Sequence, residues 1–288
     1  MILAFFFPVI SAISYGTTSV LVRIGIEGRD SSAAAFLTVV VSSLVIFPLV
    51  LISGGFGVYI GWVPFFYFVL TGILNNILGR TFSFVSIKGV GASRVTPFFA
   101  TLPLFSTFFA VLFIGERPTV LQVSGIFLVA IGIYLITAKE SLRGKKIYYL
   151  MAVIAPLCWG LASLTTKAGL REAPYPVLAN FIGLVTGALF YFVLLIITGR
   201  INAFKTFSGK SYKFLVTAGV VMAVAQLSLF LGLNVLPVVI VMPIVSIFPL
   251  VTLVAARIFL KKVEAVTLKL VLGTVLIVAG VIMTVVLR

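Results

Sequence analysis

Arg80 lies near the middle of a long apolar stretch, residues 62–88, and is the residue best placed to do chemistry in this chain. A charged side chain at that depth in lipid is costly and normally faces a protected interior or a transport pathway. Helical spacing puts Asn76 one turn before it and Ser83 one turn after it on the same face. Because a guanidinium forms forked hydrogen bonds with carboxylates and phosphates, this polar stripe predicts a binding site for an anionic small molecule.

The sequence offers no resident counter-ion for Arg80, because no acidic residue occurs deep inside any apolar stretch. An anionic group of a substrate would supply that partner. Two other interpretations stay open. The side chain can extend to the membrane surface beside Lys88, or it can bond to backbone carbonyls that proline frees in a neighbouring helix.

The inventory of reactive side chains argues against enzyme chemistry. The chain has one cysteine, Cys158, and no histidine. It therefore cannot build a disulfide framework, a zinc cluster or a Ser–His or Cys–His pair. We expect no catalytic residue, no metal site, no cofactor and no enzymatic activity.

The composition indicates a protein embedded in lipid. Of 288 residues, 62% are hydrophobic and 9% are charged, and the mean hydropathy is +1.31. A membrane-spanning helix needs roughly 20 mainly apolar residues. Ten such segments occur, at residues 2–22, 33–53, 62–88, 93–114, 118–137, 147–166, 177–198, 212–234, 237–259 and 265–287. The predicted fold class is an all-α polytopic membrane protein with ten transmembrane helices.

The net charge of +15 is explained by membrane topology and predicts no nucleic-acid partner. When the Lys and Arg residues other than Arg80 are sorted by alternate loops, sixteen fall on one side and four on the other. The positive-inside rule makes the richer side cytoplasmic. We therefore predict a multi-pass protein of the cell membrane with a cytoplasmic 139–146 loop and both termini outside. The basic loops also favour contact with anionic lipid head groups.

The two halves of the sequence repeat one pattern. The segment PFFATLP at residues 97–103 matches PIVSIFP at residues 243–249, and the pair Tyr15-Gly16 matches Trp159-Gly160. We divide the chain into a first repeat, residues 1–140, and a second, residues 147–288. Each holds five predicted spans, and an odd number means that the second copy enters the membrane in the opposite orientation. Such inverted repeats are typical of carriers that open alternately to either side, although a duplication can also build an inert bundle.

Prolines occur at matching positions of the two repeats: Pro97, Pro103, Pro243 and Pro249. Each removes a backbone donor and opens the local hydrogen-bond ladder. Breaks in corresponding helices of two repeats indicate a binding or gating site near the midplane. Simple kinks that improve packing are the alternative.

Three further residues are candidates for the same site. Gln226 occupies the position of Arg80 in the second repeat. Tyr15 and Trp159 come deeper in their spans than an interfacial aromatic belt requires, so their rings can form walls or gates of a cavity. Packing against neighbouring helices is the other interpretation of the two aromatic residues.

The order of these features resembles the EamA family of the drug/metabolite transporter superfamily. The resemblance is carried by the two aromatic-Gly pairs, the proline-containing fourth and ninth spans, the GERPT turn at residues 115–119, and the glycines spaced seven residues apart in the fifth and tenth spans. It implies two inverted five-helix repeats around a central cavity, and transport of amino acids, other metabolites or sugar-phosphate-like compounds. The spaced glycines allow close contact between helices or between two protomers of a homodimer.

We therefore predict a secondary carrier that exports or exchanges a small metabolite with an anionic group, and the resemblance puts amino acids first. A sugar-phosphate or organophosphate exchanger is the alternative within transport, and more Lys or Arg in the cavity would favour it. A non-transporting scaffold or lipid-handling protein would instead have a closed centre filled by Phe and Leu. The first span carries no acidic residue or histidine, which favours facilitated efflux or exchange over proton coupling.

Overall fold

The computed structural model describes residues 2–99, 101–115, 117–137 and 146–259, and residues 268, 272–273, 275–277, 279–280 and 283 near the end of the chain. The described residues are helical throughout, apart from turns and short connections. We number the helices α1 (Phe6–Gly25), α2 (Ser31–Ile52), α3 (Trp62–Val90), α4 (Ala92–Phe99), α5 (Leu102–Ile114), α6 (Val120–Thr137), α7 (Lys146–Glu172), α8 (Pro176–Ile197), α9 (Gly209–Val235), α10 (Val238–Val245) and α11 (Phe248–Phe259).

Local capping sets where several helices begin. At the start of α2, Asp30 Oδ1 accepts hydrogen bonds from the backbone N–H groups of Ser32 and Ala33, both at 2.9 Å. Before α6, Thr119 and Gln122 exchange side-chain and backbone hydrogen bonds in a reciprocal cap. These side chains satisfy N–H groups that have no partner within the helix.

Two of the predicted spans are discontinuous. Segment 93–114 forms α4 and α5, and segment 237–259 forms α10 and α11. Pro103 and Pro249 lie in the first turns of α5 and α11, where the backbone N–H would have no intrahelical partner. Proline thus lies at the start of the second half of each broken helix.

Seven described helices are long and apolar enough to cross a membrane: α1, α2, α3, α7, α8 and α9, and the α10–α11 pair taken as one span. Two shorter apolar helices, Leu102–Ile114 and Val120–Gly132, lie between them in the chain. Most of the predicted last span, 265–287, lies outside the described residues. The structure therefore confirms an all-helical, multi-pass architecture, whereas the count of ten spans stays a prediction.

Close contacts between the two halves occur in reciprocal pairs. A Cβ added to Gly16 in α1 would lie 2.6 Å from the carbonyl oxygen of Phe248 in α11. A Cβ at its counterpart in the second half, Gly160 in α7, would lie 3.0 Å from the backbone nitrogen of Ser106 in α5. Gly132 and Gly280 likewise each approach a backbone oxygen of the other half, at Gly273 and Gly125 respectively. Side chains larger than hydrogen would separate these helices.

Basic residues gather at two ends of the helix bundle. At one end, Arg29 donates to the carbonyl oxygen of Thr206, and Arg200 pairs with Asp30 at 3.3 Å. At the other, Lys167 donates to the carbonyl oxygens of Leu233 and Leu236. This division agrees with the sorting of charges along the sequence. Which end faces the cytoplasm stays a prediction.

The outer faces of the helices are apolar. Large hydrophobic side chains are exposed at positions that would face lipid, among them Leu44 at 65%, Phe66 at 64% and Ile197 at 77%. A soluble monomer rarely exposes contiguous apolar surface on this scale. The exposed surface and the long apolar helices together describe a multi-pass membrane protein.

Candidate functional site

A central cavity lies between α1, α3, α7 and α9 and the two broken helices. The space not filled by protein atoms in this region amounts to about 820 Å³ when the open solvent at its mouth is included. Its polar lining comes from four helices. These residues are Tyr15, Thr18 and Ser19 of α1, Asn75, Arg80 and Ser83 of α3, Ser163 and Thr166 of α7, and Gln226 of α9.

Arg80 contributes its buried side chain to the cavity wall and is 3% exposed. Its Nη1 donates to Thr38 Oγ1 at 3.1 Å and its Nη2 donates to Asn76 Oδ1 at 2.9 Å. Both acceptors are neutral. The described acidic residues, Glu27, Asp30 and Glu172, lie at or just beyond helix ends, so none of them neutralises the guanidinium.

A local change in helix winding positions Arg80. Residues Ile73–Gly79 of α3 form a π-helix, and the backbone N–H of Arg80 donates to the carbonyl oxygen of Asn75, five residues earlier. In a regular α-helix the partner would be four residues earlier. Within this segment Asn75 lines the cavity together with Arg80.

Asn76 contacts Arg80 but does not itself line the cavity. It is 2% exposed and links three elements: its Nδ2 donates to the carbonyl oxygen of Gly183 at 3.0 Å, and its Oδ1 accepts from Arg80 Nη2 and from Gln226 Nε2 at 2.8 Å. We expected Asn76 to line the site and Asn75 to serve helix packing. The structure instead places Asn75 on the cavity wall, and Asn76 lies behind it in contact with Arg80.

The rest of the wall is aromatic and aliphatic. Trp159 packs edge-on against Phe99, with ring centroids 5.0 Å apart, and Tyr15 lies 6.4 Å from Phe248. Trp159 also fits closely against α3, since a Cβ at Gly79 would lie 2.5 Å from its Cδ1. The cavity can therefore hold an apolar group beside a single cationic side chain.

The sequence of this chain matches the model of the EamA-like transporter family twice, at residues 2–138 and at residues 146–286. The chain belongs to the EamA-like transporter family. This confirms the resemblance inferred from the motifs, and by its family the protein is a membrane transporter of the drug/metabolite transporter superfamily.

The fold of this EamA-like transporter has a solved counterpart. A structure described only as a crystal structure of a protein superposes with a TM-score of 0.77, at 18% sequence identity, over 99% of this chain and 97% of that chain. At that identity the likeness shows the shared fold alone. The comparison with curated proteins gives no match.

The structure brings five of the predicted site residues of the EamA-like transporter to one cavity: Tyr15, Arg80, Ser83, Trp159 and Gln226. Arg80 does not extend to the membrane surface, since its polar partners are Thr38 and Asn76 inside the protein. The part that these residues take in binding stays a prediction.

The predicted gating prolines lie beside the cavity wall. Pro103 and Pro243 follow the wall residues Leu102 and Met242 directly, and Pro249 follows the wall residue Phe248. Pro97 belongs to α4, but its side chain lies outside the described residues. The breaks exist as expected, and a gating role for them stays a prediction.

Sequence reasoning missed Thr38 as a partner of Arg80. It belongs to α2 and reaches the guanidinium from 42 positions away in the chain. A lone threonine in an apolar span gives no signal of such a contact, because Thr commonly bonds to its own helix, as Thr38 also does to the carbonyl oxygen of Ala35. The missed Asn75 had a usable signal, namely adjacent asparagines one turn before a buried arginine.

Proposed function

We propose that this EamA-like transporter is a secondary carrier that exports or exchanges a small metabolite with an anionic group, with amino acids as the first candidates. Arg80 is the anchor for that group. The buried guanidinium on the cavity wall, hydrogen-bonded only to neutral oxygens, carries this proposal. A desolvated cation without a counter-ion is costly, and an anion in forked contact with it offsets that cost.

The charge of the cavity favours a carboxylate over a phosphate ester. Among the described residues that line the cavity, Arg80 is the one Lys or Arg. A phosphate monoester carries about 1.5 to 2 negative charges at neutral pH, and one guanidinium would leave part of that charge buried and unpaired. A sugar-phosphate or organophosphate exchanger therefore stays the second candidate.

The open centre supports transport over a scaffold or lipid-handling role. A non-transporting bundle is expected to have a filled core, whereas in this molecule a cavity with a polar and aromatic lining lies between the helices of both halves. The reciprocal contacts of Gly16 and Gly160 with α11 and α5 support two inverted repeats, residues 1–140 and 147–288. Ten spans, a cytoplasmic 139–146 loop and exterior termini complete the proposed arrangement.

The test is a substrate screen followed by transport in proteoliposomes. Thermal shift with standard amino acids, simple carboxylates and sugar phosphates finds ligands that bind the folded protein. Counterflow of the best ligand then compares wild type with Arg80→Gln. Loss of the charge-assisted contact is expected to reduce flux at least about tenfold.

The matched control is Arg200→Gln, which removes an arginine from the exposed pair with Asp30 at the end of the bundle. Such surface pairs contribute little, so its flux is expected to equal that of wild type. Equal flux in the Arg80→Gln and wild-type proteins would remove Arg80 from the mechanism. Ligands restricted to sugar phosphates would favour the second candidate.

A further inference from the structure

We propose that Gln226 is a specificity-determining residue, whose side-chain carbonyl accepts a hydrogen bond from a donor group that the substrate carries beside its anionic group. The site then selects such substrates, of which an α-amino acid is the simplest, over plain carboxylates. This inference rests on the proposed function and concerns the same cavity.

A single backbone carbonyl sets the direction of the amide network behind the cavity. The carbonyl oxygen of Gly183 can only accept, so the nearby atom of Asn76 is its Nδ2, at 3.0 Å. The Oδ1 of Asn76 therefore faces the other way, towards the guanidinium of Arg80, which can only donate. The same oxygen accepts from Gln226, so Gln226 presents its Nε2 to Asn76 at 2.8 Å.

This arrangement leaves the Gln226 carbonyl oxygen as the unused end of the network. Gln226 is 2% exposed and lines the cavity, and its Oε1 has no hydrogen-bond partner among the described residues. Buried side-chain acceptors are normally satisfied, and an exception requires a reason. A donor on a bound ligand supplies one. The terminal torsion of a glutamine is soft, so the side-chain carbonyl can turn towards that donor.

The hydroxyl groups around the cavity also offer acceptors. Four of these hydroxyl groups donate to a backbone carbonyl of their own helix at 2.7–3.0 Å: those of Thr18, Ser19, Ser163 and Thr166. With the hydroxyl hydrogen in use, each oxygen presents lone pairs to a ligand. The polar wall thus pairs one strong donor, Arg80, with several acceptors.

The anion site and the acceptor are close neighbours. Arg80 Nη2 and Gln226 Nε2 lie 2.9 and 2.8 Å from the same oxygen, Asn76 Oδ1. A ligand that meets both side chains must therefore carry its anionic and donor groups within a few bonds of each other. An α-amino acid has its carboxylate and ammonium on one carbon, and a plain carboxylate lacks the second group.

Paired probes test this inference by direct binding to the purified protein. Each pair has one carbon skeleton with and without the ammonium: L-alanine and propanoate, L-leucine and 4-methylpentanoate, L-phenylalanine and 3-phenylpropanoate. In wild type the amino acid of a binding pair is expected to have a Kd at least about tenfold lower, since a hydrogen bond to a charged group is worth that much or more.

Gln226→Met removes the amide at similar length and keeps an apolar wall. It is expected to bring the ratio of the two Kd values close to one, while the Kd of the plain carboxylate stays within about threefold. Gln226→Glu places a carboxylate beside Arg80 and is expected to abolish binding of both members of a pair. Equal affinities within the wild-type pairs, or a ratio that survives in Gln226→Met, would overturn the assignment of Gln226.

The Arg80→Gln variant separates this inference from the proposed function. If binding depends on Arg80 but the amino acid and the plain carboxylate of a pair bind equally well, the proposed anion carrier is supported and the role of Gln226 is refuted. Binding of neither member of any pair to wild type overturns the role of Gln226, and the wider screen of amino acids, carboxylates and sugar phosphates then decides the proposed function. Equal affinities in wild type overturn the inference without any variant, and Gln226→Glu provides the second test of the residue if Gln226→Met folds poorly.

Discussion

Lys167 is expected to stabilise the end of α9 from a different helix. Leu236, with φ −119° and ψ 154°, leaves the helical conformation, and Pro237 prevents its continuation. The last carbonyls of a helix have no partner within it, and lipid supplies no water to satisfy them. Lys167 Nζ, which is partly buried, donates to the carbonyl oxygens of Leu233 at 2.6 Å and Leu236 at 2.9 Å.

The substitution Lys167→Met keeps most of the aliphatic stem and removes the ammonium. A hydrogen bond to a charged group contributes about 1.5–3 kcal/mol. Lys167 is only partly buried, so we take the lower value for each of its two bonds and expect a loss of about 3 kcal/mol. This is a large share of a typical unfolding free energy of about 5–15 kcal/mol.

The measurement is denaturant-induced unfolding in detergent micelles, compared with Arg171→Met. Arg171 lies one turn later on the same helix and reaches the carbonyl oxygen of Ile114 at 3.5 Å, a weak contact at an exposed position. The control is expected to lose less than about 1 kcal/mol. An equal loss in the two variants would show that the carbonyls of α9 do not depend on Lys167.

Two further predictions concern the cavity wall and the topology. Gly79→Ala is expected to displace the Trp159 indole, destabilise the protein by about 1–3 kcal/mol and weaken ligand binding, because the new Cβ would lie 2.5 Å from Trp159 Cδ1. Thermal unfolding and the indole emission maximum measure this effect. The control Gly209→Ala, whose new Cβ would have nothing within 4 Å, is expected to change neither quantity. Ser141→Cys in a Cys158→Ser background is expected to react with a membrane-impermeant maleimide only after the cells are opened, and labelling of intact cells would reverse the proposed orientation.

Much of the fold could be predicted from the sequence because lipid constrains it strongly. Every backbone polar group in the membrane must be satisfied within a helix, so apolar length alone places α1, α2, α3, α7, α8 and α9 close to their observed bounds. The helices that carry the matching prolines are the ones that break, between α4 and α5 and between α10 and α11, although Pro97 and Pro243 lie inside α4 and α10. The family followed from the order of motifs within each repeat.

The candidate site was predictable in its centre and not in its surroundings. A lone arginine in an apolar span must face a protected interior, and Arg80 does so. The predicted pairing of Asn76 with Arg80 is present, but the position of Asn75 on the cavity wall was not predicted, and both asparagines lie in a π-helical segment of α3, Ile73–Gly79. Periodicity arguments assume one winding throughout and carry no information about such a change.

The amino-acid sequence by itself determined that this protein is a helical membrane protein built from two related halves, with one buried cation and no resident acid among its apolar stretches. Only the tertiary structure decided which way each amide of the site faces. That choice depends on the carbonyl oxygen of Gly183, which is 107 positions from Asn76 in the chain and meets it only when α8 packs against α3. Burial of side chains follows from local composition and the solvent, whereas the direction of a hydrogen-bond network follows from contacts that folding alone creates.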